Sequence, residues 1–189
     1  MKNKFRLSLC IVFTLLLAAC SKDKYPLNGL WTGNILDDEV YIAFIDDLCF
    51  VAFAEGRTNK ANFTYKKDIV DITMNNITMP FTVQDNVMSI IIGEESFFLN
   101  KDTITETPEE IKGIWNGTDN TILAFVGNKV FISANTTADY ATPRLYLDIN
   151  MVTFQTQHSR NIYRLTIKGN TMNADLFTSG MVIEETFTR

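Results

Sequence analysis

Apolar and polar residues alternate along most of this chain with a period of two. Val70, Ile72 and Met74 fall on one side of a pleat, Asp71 and Thr73 on the other. That spacing is the mark of a half-buried β-strand. β-branched and aromatic residues dominate such runs, as a pleated surface favours. Val40 to Ile45 and Leu48 to Phe53 flank Asp46-Asp47; Phe63 to Lys66 and Ile69 to Met74 flank Lys67-Asp68; Ile77 to Val83 and Val87 to Ile92 flank Gln84-Asp85-Asn86. Further along, Gly127-Asn128 and Gly169-Asn170 supply the left-handed positions that tight hairpins need. No segment carries a helical stripe of useful length. The pattern predicts an all-β protein of short antiparallel strands.

The pattern is also written twice. Leu27-Asn28-Gly29-Leu30-Trp31-Thr32-Gly33 returns as Ile111-Lys112-Gly113-Ile114-Trp115-Asn116-Gly117, and Phe81 to Met88 returns as Leu165 to Met172 at the same offset of 84 residues. Ala43-Phe44-Ile45 returns as Ala124-Phe125-Val126 three residues early, which places a short indel in the first loop. Both tryptophans hold the same repeat position. The reading is a tandem duplication, 27–101 and 111–189, of about eight strands per copy, joined by a polar linker over 102–110. Several strands are apolar on both faces: Val40, Ile42 and Phe44 alternate with Tyr41, Ala43 and Ile45, and Ile122 to Val126 does the same. The second face must be covered. Packing of the two copies through equivalent hairpins would cover it; a surface for another protein is the rival reading.

Composition then excludes partners. The chain has 17 basic and 22 acidic residues, and all the acidic ones follow Cys20 while three basic ones precede it. An acidic chain repels phosphate backbones, so nucleic acid is not an expected partner. The three early cations, Lys2, Lys4 and Arg6, open a segment whose apolar run, Leu7 to Leu17, is too short to span a bilayer. Leu17-Ala18-Ala19-Cys20 closes it. This resembles the lipobox of bacterial lipoproteins, which implies a cleaved signal peptide at 1–19, acylation of Cys20, a lipidated tether at 20–26 and residence in the cell envelope, on the outer membrane, held by the fatty acyl anchor. Cys10 leaves with the signal, so Cys49 is the single cysteine of the folded part and no internal disulfide forms. Cys49 sits in an apolar run and reads as a small buried hydrophobe.

Gly29-Leu30-Trp31 and Gly113-Ile114-Trp115 resemble the G-x-W that opens the first strand of lipocalins and other calycins. The resemblance implies eight-stranded meander barrels, each with a basic residue of the last strand over its tryptophan. Lys101 and Arg189 stand where those residues would fall, giving closed-end pairs Trp31–Lys101 and Trp115–Arg189. At 84 residues a copy is short for a lipocalin, and an eight-stranded barrel either fills with side chains or holds one small ligand.

Meander connectivity puts the short turns at the tryptophan end and the longer loops, Ala54 to Lys60 and Asn135 to Pro143, at the other. Function favours long loops on a rigid frame. In the second copy this open end gathers Asp119, Asn120, Asn135, Asp139, Tyr140, His158 and Arg160, of which Asn135, Asp139, Tyr140, His158 and Arg160 are the candidate ligand-binding residues. His158 is the sole histidine, and beside Ser159 in sequence it cannot easily form a catalytic pair. Asp37-Asp38 and Glu94-Glu95 fall at one end of the first copy. There is no zinc spacing, phosphate loop or nucleotide fingerprint. The expectation is a non-enzymatic envelope binding module without cofactor or metal, taking a small hydrophobic ligand in its barrels. The alternative is a protein-interaction module, an inhibitor or assembly partner, that uses open-end loops or an exposed apolar face.

Overall fold

In a computed structural model of the chain, residues 26–55, 57–103, 105–134, 137–146 and 149–189 are described. The segment read above as a signal peptide, Cys20 and Asn135 lie outside them. Among the described residues there is no α-helix. Eight strands form the first half: β1 (Gly29–Ile35), β2 (Asp38–Ile45), β3 (Leu48–Phe53), β4 (Thr58–Lys66), β5 (Ile69–Met74), β6 (Ile77–Gln84), β7 (Val87–Ile92) and β8 (Glu95–Lys101). Each pairs antiparallel with the next. The sheet closes on itself where β8 meets β1, with Trp31 opposite Lys101 and Gly33 opposite Leu99. A closed antiparallel barrel has no exposed edge. Its interior holds the inward residues the alternation predicts: Trp31, Ile42, Phe44, Val70, Ile72, Phe81, Met88 and Leu99 are all buried.

Nine strands follow: β9 (Gly113–Gly117), β10 (Ile122–Val126), β11 (Lys129–Ala134), β12 (Thr137–Ala141), β13 (Arg144–Tyr146), β14 (Met151–Gln155), β15 (Ile162–Lys168), β16 (Thr171–Thr178) and β17 (Met181–Thr188). Antiparallel ladders run from β9 through β10 and β11 to β12, and from β13 through β14, β15 and β16 to β17. Then β17 returns to β9, Phe187 opposite Gly117. The count departs from eight for a local reason. In the first half, β4 bends, so that Thr58 to Ala61 pair with β3 and Asn62 to Lys66 with β5. In the second, the matching strand is cut at Thr142-Pro143; β12 pairs with β11 and β13 with β14. Proline has no N–H for a ladder and a fixed φ, so the bend becomes a break.

The loops expected at 54–60 and 135–143 are therefore shorter than the sequence reading allowed. Strand begins at Thr58 in one and covers Thr137–Ala141 in the other. A run of small and polar residues hid these strands, because their apolar partners lie across the ladder rather than beside them in sequence.

The doubly apolar strands have their cover. Leu30, Tyr41, Ala43, Phe50 and Ala52 of the first half pack with Ala124, Val126, Phe131 and Tyr140 of the second in one buried cluster. Phe50 and Phe131 stack with centroids 5.4 Å apart. Alanines at 43, 52 and 124 let the two sheets approach closely, and a bridge between Ala138 and Thr58 extends the seam.

Candidate functional site

Each tryptophan is fully buried. Trp31 Nε1 donates to the Leu27 carbonyl and Trp115 Nε1 to the Ile111 carbonyl, both at 2.8 Å, so the one buried polar atom of each ring is satisfied. Lys101 Nζ lies 5.6 Å from the Trp31 ring and donates to the Pro26 carbonyl. The Arg189 guanidinium lies 4.8 Å from the Trp115 ring, with Nη1 donating to the Glu109 carbonyl. Gly29, at φ 131°, explains the first residue of the motif: a Cβ there would meet the stem of Lys101 at 2.9 Å. These ends are plugged by packing and cation–π contact.

The two halves lie with like ends together. One groove, between the tryptophan ends, is lined by Gly29, Phe44 and Lys101 from the first half and Lys112, Phe125 and Gly127 from the second. Another, of about 610 Å³, lies between the open ends and is lined by Phe53, Arg57, Asn59 and Asn75 together with Thr137, Ala138 and His158. Both open ends thus share one face of the molecule. Pro26, where the described chain begins, is at the opposite end.

The open-end residues singled out in sequence separate in the structure. Asp139 is buried, and its carboxylate accepts from Tyr140 N, His158 N, Ser159 N and Ser159 Oγ at 2.8–3.1 Å. With four donors it is saturated and serves to fix the turn from Thr156 to Asn161. Tyr140 is buried in the seam, 5.5 Å from the ring of Tyr41. Lys129 Nζ sits 4.6 Å from Tyr41 and 5.9 Å from Tyr140, and burial lowers its pKa. Arg160 is an exposed turn residue at φ 59°. His158, exposed and in edge contact with the Tyr140 ring, is the one described member of the set that lines the open groove. Burial raises the pKa of the Cys49 thiol, which leaves it inert.

Sequence reasoning missed the polar group that the second half turns inward. On β17, Ile183, Glu185 and Phe187 share the inward register, opposite Leu176, Ala174 and Met172. The Glu185 side chain meets Asp119 of the β9–β10 turn. Gly117 makes the room, since a Cβ there would collide with Glu185 Oε1. That oxygen is shielded and has no donor. Burial first, then the neighbouring Asp119 carboxylate, push Glu185 up to about 8. Asp119 is held below its ordinary range by the proton Glu185 offers and by Thr121, whose N–H donates to Oδ1 at 2.9 Å. The pair shares one proton. Beside it, burial and then Glu185 raise Tyr163 to about 12, and its ring stacks on Phe154 at 4.8 Å. The alternation of Ile183, Glu185 and Phe187 was the available signal. Among the described residues no group of three His, Cys, Asp or Glu side chains is arranged to hold a metal ion.

The open face also carries apolar side chains left in solvent. In the first half these are Leu36, Ile77 and Ile92; in the second, the tip of the β16–β17 hairpin adds Met181, Val182 and Ile183. That hairpin is longer than its counterpart: β16 has eight residues where β7 has six, and the extra length places Phe177 opposite Val182. No protein-family model matches the chain, and no curated protein matches it in sequence.

Proposed function

We propose that this chain is a lipid-anchored, non-enzymatic binding protein of the cell envelope, built as two calycin-like barrels, whose shared open face recognises another protein. The second barrel closes as the first does, β17 returning to β9, with the split strand standing in for β4. The signal segment and Cys20 supply the anchor. The described chain starts at the tryptophan end, so the tether joins there and the open face points away from the membrane.

One observation carries the choice of ligand class. The barrel positions that would line a pocket are occupied: Trp31, Phe81 and Met88 in one half and Trp115, Leu165 and Phe187 in the other are at most 1% exposed. Meanwhile Leu36, Ile77, Met181 and Val182 are each more than half exposed at the open ends. A carrier of a small apolar molecule would show the reverse, an enclosed apolar chamber and a polar rim. Ile69, Val87 and Ile149 are exposed at the tryptophan end, but more of the exposed apolar residues lie at the open ends, and such a patch favours a macromolecular partner.

The test is site-specific photo-crosslinking in the cells that make the protein. A photoreactive residue at Ile77 or Val182 is expected to yield a discrete adduct with another protein; one at Asp85, at the tryptophan end, is not. Equal labelling at all three positions, or none, would overturn the reading.

A further inference from the structure

The open end of the first half has a chemistry more specific than apolarity. Its exposed apolar residues, Leu36, Ile77 and Ile92, sit in or beside the turns that close that end. Those same turns carry Asp37, Asp38, Glu55, Glu94 and Glu95, against the single cation Arg57. The acidic side chains are not consumed by one another's ion pairs: the described salt bridges are Lys112–Glu109 and Arg164–Asp175, both in other parts of the molecule. The result is an apolar mouth ringed by carboxylates.

Leu36 is the least expected residue there. It holds φ 51° and is 62% exposed. Left-handed backbone disfavours a leucine, and solvent gives nothing back. Asn or Gly would suit the position better, as Asn75 and Asn76 do in the neighbouring turn at φ 49° and 65°. A large apolar side chain in a strained, solvated turn serves neither conformation nor core.

From this we infer that the open end of the first half docks a basic, apolar-bearing segment of its partner: a stretch in which Leu, Ile or Phe packs on Leu36, Ile77 and Ile92 while flanking Lys or Arg meet the carboxylates around them. The inference rests on the protein-recognition reading above and adds the partner's charge. Charge complementarity of this kind sets partner choice and encounter rate.

The experiment uses the mature protein and three fluorescent peptides of equal length: Lys/Leu, Glu/Leu and Lys/Ser. The Lys/Leu peptide is expected to bind at least tenfold more tightly than either other, and to weaken severalfold between 50 and 300 mM salt, both roughly the scale of screened surface charge. Leu36→Asn is the decisive variant. It should weaken Lys/Leu binding tenfold or more while Tm holds or rises, a split that a structural role for Leu36 cannot give. Glu94→Lys with Glu95→Lys should weaken it similarly, and Asp85→Lys at the far end should not. Equal affinity for the Glu/Leu peptide, or indifference to the Leu36 and Glu94/Glu95 changes, would overturn the inference. So would adsorption of the unacylated Cys20→Ser protein to phosphatidylcholine vesicles, which would assign the mouth to lipid, or self-association abolished by Ile77→Ser, which would assign it to a second copy. If the Ile77 photo-adduct forms and the peptide preference does not, the charge inference falls alone; loss of both removes both.

Discussion

At the residue scale, three side-chain environments govern stability. Trp31 and Trp115 each fill one end of their half, buried and hydrogen-bonded, beneath a cation. Trp31→Ala and Trp115→Ala should each destabilise by about 3–5 kcal/mol, the usual range for deleting a large buried aromatic; denaturant unfolding measures it. Glu185 gives a pH signature. Its pKa rises on folding to about 8, so the native state keeps a proton that the unfolded chain releases. Stability from this proton is fully present below about 4.5, the ordinary range of Glu, and declines as pH rises toward 8. Asp119 acts oppositely: lowered on folding, it contributes stability that is lost only in acid. The groups facing Glu185 are Asp119 and Tyr163, and Tyr163 in turn feels Asp139. Thermal melts should therefore show Tm falling between pH 5 and 8, and Glu185→Gln, which keeps a donor for Asp119 but cannot ionise, should flatten that fall.

At the element scale, the seam depends on two equivalent hairpins meeting through matched faces. Phe50 and Phe131, their stacked pair, should show a coupling of about 0.5–1.5 kcal/mol in a double-mutant cycle with Ala. Much of this level was legible in the chain. The repeated Gly-x-Trp fixed where both first strands begin, and the doubly apolar strands at 40–45 and 122–126 announced a covered outer face. What stayed hidden depends on pairing rather than pattern. Thr137–Ala141 is strand because β11 lies beside it, although its own residues alternate poorly. Asp139 looked like a loop carboxylate open to ligand, and only the fold brings Ser159 and His158 to saturate it. Glu185 lies in a legible inward register, but its partner Asp119 sits far off in sequence, and that distance concealed the acid pair.

At the scale of the whole molecule, the buried seam joins the two halves, and they should unfold together. A single calorimetric transition is expected, with the measured enthalpy equal to the van't Hoff value, and Phe131→Asp should divide it in two. Cys20→Ser should move the protein from the membrane to the soluble fraction without altering that transition; unchanged fractionation would refute the anchor. The join between the halves carries its own consequence. Asp102 N donates to the Leu30 carbonyl, Thr107 is buried with Oγ1 donating to the Gly127 carbonyl, and Ile111 and Lys112 both donate to the Pro108 carbonyl. The most hydrophilic stretch between the copies is thus stitched to both of them. An endoprotease, which must draw several residues out straight before it can cut, would have to break these bonds first. The join between the two halves is in this way also part of what holds them together.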